Sequence, residues 1–149
     1  MTFSFYFFDT SALVKRFHDE SGSAVVHALF AEQDSTIIIS DLTIIELTSA
    51  LRRTLQRGEI TRDAFDNALA QFGKVLQDEL IVAGFRSGFV QAARDLVIQY
   101  GIRTLDALQL TSAMQFQNLS PVFVCADAQL LRAATAVGFA TLNPEAEVS

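Results

Sequence analysis

Five short apolar runs, each set apart from the next by longer helical periodicity, leave this chain few architectures to adopt. Residues 3–8 are rich in aromatics, 36–39 are β-branched, and 80–83, 122–125 and 139–142 complete the set. Between them, apolar residues recur at helical spacing: Leu13, Val14 and Phe17 within 10–17, and Val25, Val26, Leu29 and Phe30 within 21–31. Residues 41–57 and 61–77 read as a helical hairpin that turns at Gly58, with Ser40 or Asp41 as the first N-cap. Further helices are expected over 87–100, 104–117 and 127–137. Strands spaced by helices predict an α/β domain with a mostly parallel sheet. No linker, repeat or low-complexity segment interrupts the 149 residues, so one domain over 1–149 is expected.

Against that apolar frame, four acids stand out. Asp9 closes the first aromatic run, Glu46 is wedged into Leu42-Thr43-Ile44-Ile45-Glu46-Leu47, Asp106 follows Thr104-Leu105, and Asp127 follows Val124-Cys125-Ala126. A carboxylate beside a core costs several kcal/mol unless it is paired, hydrogen-bonded or bound to a cation. Only Asp106 has a basic residue three or four positions away, Arg103. Asp9 and Asp127 could cap the helices that follow them, and Asp106, two residues after a possible Thr104 cap, could meet a helix dipole. Glu46 has no such excuse, because it lies beyond the first turn, where dipole attraction fades. In a parallel sheet, ligands bind outside the carboxyl ends of the strands, an edge that all four acids can reach. Carboxylates gathered there suit hard ions such as Mg²⁺ or Mn²⁺ and metal-assisted phosphoryl chemistry. Ser11, two residues past Asp9, could touch the ion or the acids that hold it.

Other chemistries find less support. The formal net charge of −6 disfavours loose wrapping of nucleic acid, though not a nuclease whose acidic site accounts for part of that balance. The single Cys125 allows no internal disulfide and no cysteine zinc site, which fits a reducing cytoplasm. No apolar run approaches the roughly 18 residues of a membrane span, and no signal peptide is expected. His18 and His27 share no ligand spacing. Asp9-Thr10-Ser11 lacks the second acid of receiver domains and of haloacid-dehalogenase-type phosphatases, and the C-terminal third lacks a receiver's lysine.

The stretch Tyr6-Phe7-Phe8-Asp9-Thr10-Ser11-Ala12-Leu13-Val14-Lys15, with Ile44-Ile45-Glu46-Leu47, Leu105-Asp106-Ala107-Leu108-Gln109-Leu110 and Phe123-Val124-Cys125-Ala126-Asp127, resembles a PIN domain. More narrowly it resembles the VapC toxins of prokaryotic VapBC toxin–antitoxin pairs. The resemblance covers essentially the whole chain and implies a three-layer α/β/α fold. It implies a Mg²⁺- or Mn²⁺-dependent endoribonuclease, the toxin of such a pair, with Asp9, Glu46, Asp106 and Asp127 as catalytic, metal-holding acids supported by Ser11. A VapB-type antitoxin would lay a peptide near helices 41–77 and set a basic side chain against the acids, and relatives commonly dimerise. Many relatives carry one more acid shortly after the last; here those positions hold Gln129 and Leu130, which points to one tightly held ion. Lys15, Arg16, Arg52 and Arg53 are candidates for RNA phosphate contacts. The alternative is a PIN-like module that binds RNA or protein without turnover.

Overall fold

A computed structural model describes residues 3–146, so the extreme ends of the expected 1–149 domain lie outside the described residues. Strands β1 (Ser4–Phe8), β2 (Ser35–Ser40), β3 (Leu80–Ala83), β4 (Val122–Val124) and β5 (Ala140–Leu142) form a sheet in the order β3-β2-β1-β4-β5. Every pairing in it is parallel. The helices are α1 (Thr10–Leu13), α2 (Ser23–Ala31), α3 (Leu42–Gln56), α4 (Arg62–Asp78), α5 (Phe89–Tyr100), α6 (Thr104–Met114) and α7 (Ala128–Ala136).

Side chains alternate along a strand, so β1 feeds two cores. Tyr6 and Phe8 join Leu13, Val26, Leu47, Leu51, Phe65 and Phe72 beneath α1–α4. Phe7 joins Leu96, Leu110, Phe123, Leu130 and Phe139 beneath α5–α7, and its ring stacks on Phe123 at 5.7 Å. Helices therefore cover both faces, which makes the three-layer α/β/α arrangement. Each fully buried Phe or Leu contributes about 1.5–3 kcal/mol, so the aromatic first strand anchors both layers.

Several element ends differ from the sequence reading. The first helix stops at Leu13 and tightens into a 3₁₀ turn over Val14–Arg16, where Phe17 and His18 both donate to the Val14 carbonyl. The helix expected over 104–117 ends at Met114, and a separate 3₁₀ turn, Gln117–Leu119, leads into Pro121, which cannot continue a helix. Its N-cap is Arg103 rather than Thr104. Asp41 holds the N-cap position of α3 without a side-chain cap bond; Ser40 Oγ instead accepts from Leu42 N–H at 3.2 Å.

Gly22 sets the start of α2. Its φ is 90°, and a Cβ there would meet the Pro144 carbonyl oxygen at 2.8 Å. Gly22→Ala is therefore expected to cost about 2 kcal/mol or more, from backbone strain added to a backbone clash. A lowered urea midpoint at unchanged m-value would register it.

Because β2 and β3 lie on one side of β1 while β4 and β5 lie on the other, strand order reverses between β1 and β4. That reversal opens a crevice at their carboxyl ends.

Candidate active site

Asp9 leaves β1 at the reversal, and its N–H donates to the Val124 carbonyl at 3.0 Å, which pins it beside the end of β4. The residue is 5% exposed. Its Oδ2 accepts from Ser11 N–H at 3.2 Å and Ser11 Oγ at 2.7 Å, with Cys125 Sγ at 3.6 Å. Ser11 Oγ in turn accepts from Ala126 N–H at 3.0 Å, so this hydroxyl bridges the ends of β1 and β4. Burial raises the Asp9 pKa; the Ser11 bonds oppose that shift and the nearby Asp106 charge adds to it. Burial, with the Asp9 charge, also pushes up the Cys125 thiol, which stays protonated beneath the acids.

Glu46 comes from one turn into α3. Its Oε1 accepts from Gln109 Nε2 at 2.7 Å and Thr10 Oγ1 at 3.3 Å. Gln109 is fully buried, and Nε2 also reaches Thr43 Oγ1 at 2.7 Å. A carboxylate only accepts hydrogen bonds, so Glu46 sets the amide's orientation. Gln109 Oε1 is left buried without a partner among the described residues. Burial raises the Glu46 pKa, the Gln109 bond lowers it, and the Asp9 charge raises it again.

Asp106 sits in the first turn of α6, and Asp127 is the N-cap of α7, accepting from Leu130 N–H through Oδ1 at 3.0 Å. Arg103 joins them: Nε donates to Asp106 Oδ2 and Nη2 to Asp127 Oδ2, each at 3.0 Å. The Asp106 pKa is raised by burial even though Arg103 pulls it down, with Asp127 raising it further. Asp9 and Asp127 thus do cap helices, and both line the cleft as well.

All four acids line one cleft of about 670 Å³, together with Ser11, Arg53 and Arg103. Asp9, Glu46 and Asp106 each have one carboxylate oxygen anchored by protein donors; among the described residues no donor reaches Asp9 Oδ1, Glu46 Oε2 or Asp106 Oδ1. This oxygen-only donor set fits a hard divalent cation. Among the described residues no three acidic, His or Cys side chains form a ready cage for an ion. Gln129 donates to the Gly101 carbonyl at 3.1 Å and does not line the cleft.

The candidate basic residues separate. Lys15 is not available to RNA: its side chain is 2% exposed and pairs with Glu20 and Glu145, each at 2.8 Å. It ties the C-terminal segment to the loop before α2. Arg16 is also diverted, with its guanidinium over the rings of Phe17 and Phe30. Arg52 is exposed on α3 outside the cleft, whereas Arg53 lines it. In the sequence Gln109 gives little signal, a lone amide on an apolar helix three residues after Asp106, and Arg103 stands out only as a neighbour of Asp106.

A parallel α/β/α domain with carboxylates at its switch point is the class that fold and cleft define. A family profile for the PIN domain matches residues 6–135. The chain belongs to the PIN-domain family. Among solved structures it is similar to PAE2754 from Pyrobaculum aerophilum, with a TM-score of 0.67 at 20% identity over 96% of this chain and 85% of that one. It is similar to the Mycobacterium tuberculosis toxin VapC20, described as sarcin-ricin loop cleaving (TM-score 0.66, 17% identity, 97% of this chain and 100% of that one). It is also similar to VapBC2 from Rickettsia felis, bound to a DNA fragment from their promoter (0.64, 16%, 93% and 98%). At such identities these likenesses speak to the fold. No curated protein matches the sequence significantly.

Proposed function

We propose that this protein is a Mg²⁺- or Mn²⁺-dependent endoribonuclease, the toxin of a VapBC-type toxin–antitoxin pair acting in the cytoplasm. The observation that carries this reading is the set of Asp9, Glu46 and Asp106 in one cleft, each with one oxygen held by the protein and the other, among the described residues, free of protein donors. A divalent cation held there supplies positive charge that acidifies a water and stabilises the departing oxygen of a phosphodiester. Ser11 and Gln109 fix the carboxylates of Asp9 and Glu46, so little reorganisation is needed when substrate arrives. One of the cleft acids Asp9, Glu46 and Asp106, whose pKa values burial raises alike toward the neutral range, takes the attacking water's proton. With Gln129 where relatives carry a further acid, one ion is the expected complement.

Membership of the PIN-domain family and likeness in fold to a sarcin-ricin loop cleaving toxin support the nuclease reading. Likeness to VapBC2 supports a VapB-type antitoxin as partner, in a homodimer or a toxin–antitoxin assembly. The cleft rim suits such a partner. Ile45 and Leu105 line it while 70% and 48% exposed, so a peptide laid there would cover apolar surface and bring a basic side chain to the acids. Among the described residues no helix is long and apolar enough to cross a membrane.

RNA cleavage is expected to vanish in EDTA and to return on adding Mg²⁺ or Mn²⁺. Undiminished cleavage in EDTA would overturn the mechanism. Calorimetric titration with Mn²⁺ separates it from a non-catalytic binding module, which would show no binding at millimolar metal. Sequencing of RNA 5′ ends after induced expression would identify the target.

A further inference from the structure

Among the described residues, Arg103 alone forms ion pairs with the cleft acids, and it holds Asp106 and Asp127 at once. Its guanidinium therefore ties the first turn of α6 to the cap of α7. Yet the side chain is 72% exposed. Ion pairs so open to water are weak, because solvent competes at both ends. A divalent cation contests these same carboxylates with twice the charge, and a guanidinium beside it is repelled. Bound through the open Asp106 Oδ1, a cation would face the guanidinium on Oδ2 across one carboxylate and repel it. Asp127 Oδ2 would open to the ion only if Arg103 left.

We infer that Arg103 is a substrate-binding residue parked on Asp106 and Asp127, released when a divalent cation takes its place and then free to hold an RNA phosphate. The inference rests on the metal-site reading above. Among the described residues, the cleft wall that an incoming phosphodiester meets bears four carboxylates and two arginines, Arg53 and Arg103. Arg53 is occupied on its own helix, donating to Ser49 Oγ at 2.7 Å. Arg103 begins α6 in extended backbone and makes no side-chain cap bond, so the released side chain can swing without unwinding the helix. Its planar fork matches two phosphate oxygens, which a lysine cannot do.

The test compares metal-free wild-type protein with R103A and R103K. In calorimetry with Mn²⁺ alone, R103A should bind about three- to tenfold tighter, the factor expected for losing two exposed ion pairs that compete with the ion. In fluorescence anisotropy with a labelled single-stranded RNA oligonucleotide in Ca²⁺, R103A should bind more weakly. Its log affinity should also fall less steeply with log salt, by about 0.7, for one lost phosphate contact. R103K should recover only part of the RNA affinity. Unchanged or weaker Mn²⁺ binding by R103A, with an unaltered circular dichroism spectrum, would overturn the parking. Unchanged RNA affinity and salt slope would overturn the phosphate role. If wild-type protein bound no Mn²⁺, the metal-site reading itself would fall, and this inference with it.

Discussion

Asp9→Asn is expected to lower RNA cleavage by about a thousandfold or more while leaving the fold intact. A bound divalent cation contributes several kcal/mol of transition-state charge stabilisation, and about 1.36 kcal/mol corresponds to each factor of ten in rate. Asparagine keeps the size of the side chain, and its carbonyl oxygen can still accept from Ser11, but it cannot offer a cation the negative charge. The same change removes a carboxylate that is 5% exposed and has no basic partner among the described residues. Metal-free Asp9→Asn protein should therefore melt no lower than wild type. Loss of cleavage with retained melting temperature identifies a functional acid; wild-type cleavage by the variant would discard the site.

The second large effect is on stability, through pH and metal together. Burial is the leading cause of the raised pKa values of Asp9, Glu46 and Asp106, so the folded protein holds these protons more tightly than the unfolded chain does. As pH rises from the ordinary carboxylate range through the raised values, the native state carries more protons than the unfolded state. Unfolding free energy then falls with pH. Metal-free protein should thus lose stability from mildly acidic to neutral pH. Mn²⁺ should reverse the trend, since protons no longer compete with it at neutral pH. At about a hundred times its dissociation constant the ion adds about 2.7 kcal/mol, or roughly 5–10 °C in a domain of this size. Thermal melts across pH, with and without Mn²⁺, test both signs. A metal-free protein that grew more stable toward neutral pH would refute the placement of these charges.

Local pattern carried most of the fold. Strand 80–83 was legible to the residue, and the α3–α4 hairpin to within one, because a short apolar run and period-3.6 patterning are properties of neighbouring residues. The helix ends at Leu13 and Met114 were not legible, since tertiary packing decides where a last turn tightens. For the cleft, Glu46 was the clearest signal, as an acid in an apolar helix with no local cation. Lys15 shows the opposite limit. Its local sequence reads as an exposed base after Asp9, but its two partners are Glu20, across the loop, and Glu145, 130 residues away.

The chain by itself determined a parallel α/β domain, the resemblance to the PIN domain, and which acids lack local partners. Those are facts of order and short-range spacing. Only the tertiary structure decided that Arg103 spans Asp106 and Asp127, that Gln109 fixes Glu46 from beneath, and that Lys15 and Arg16 turn away from the cleft. Each of these depends on which helices the reversal between β1 and β4 brings together. A hydrogen bond or ion pair acts across about 3 Å of space, however much chain separates its ends.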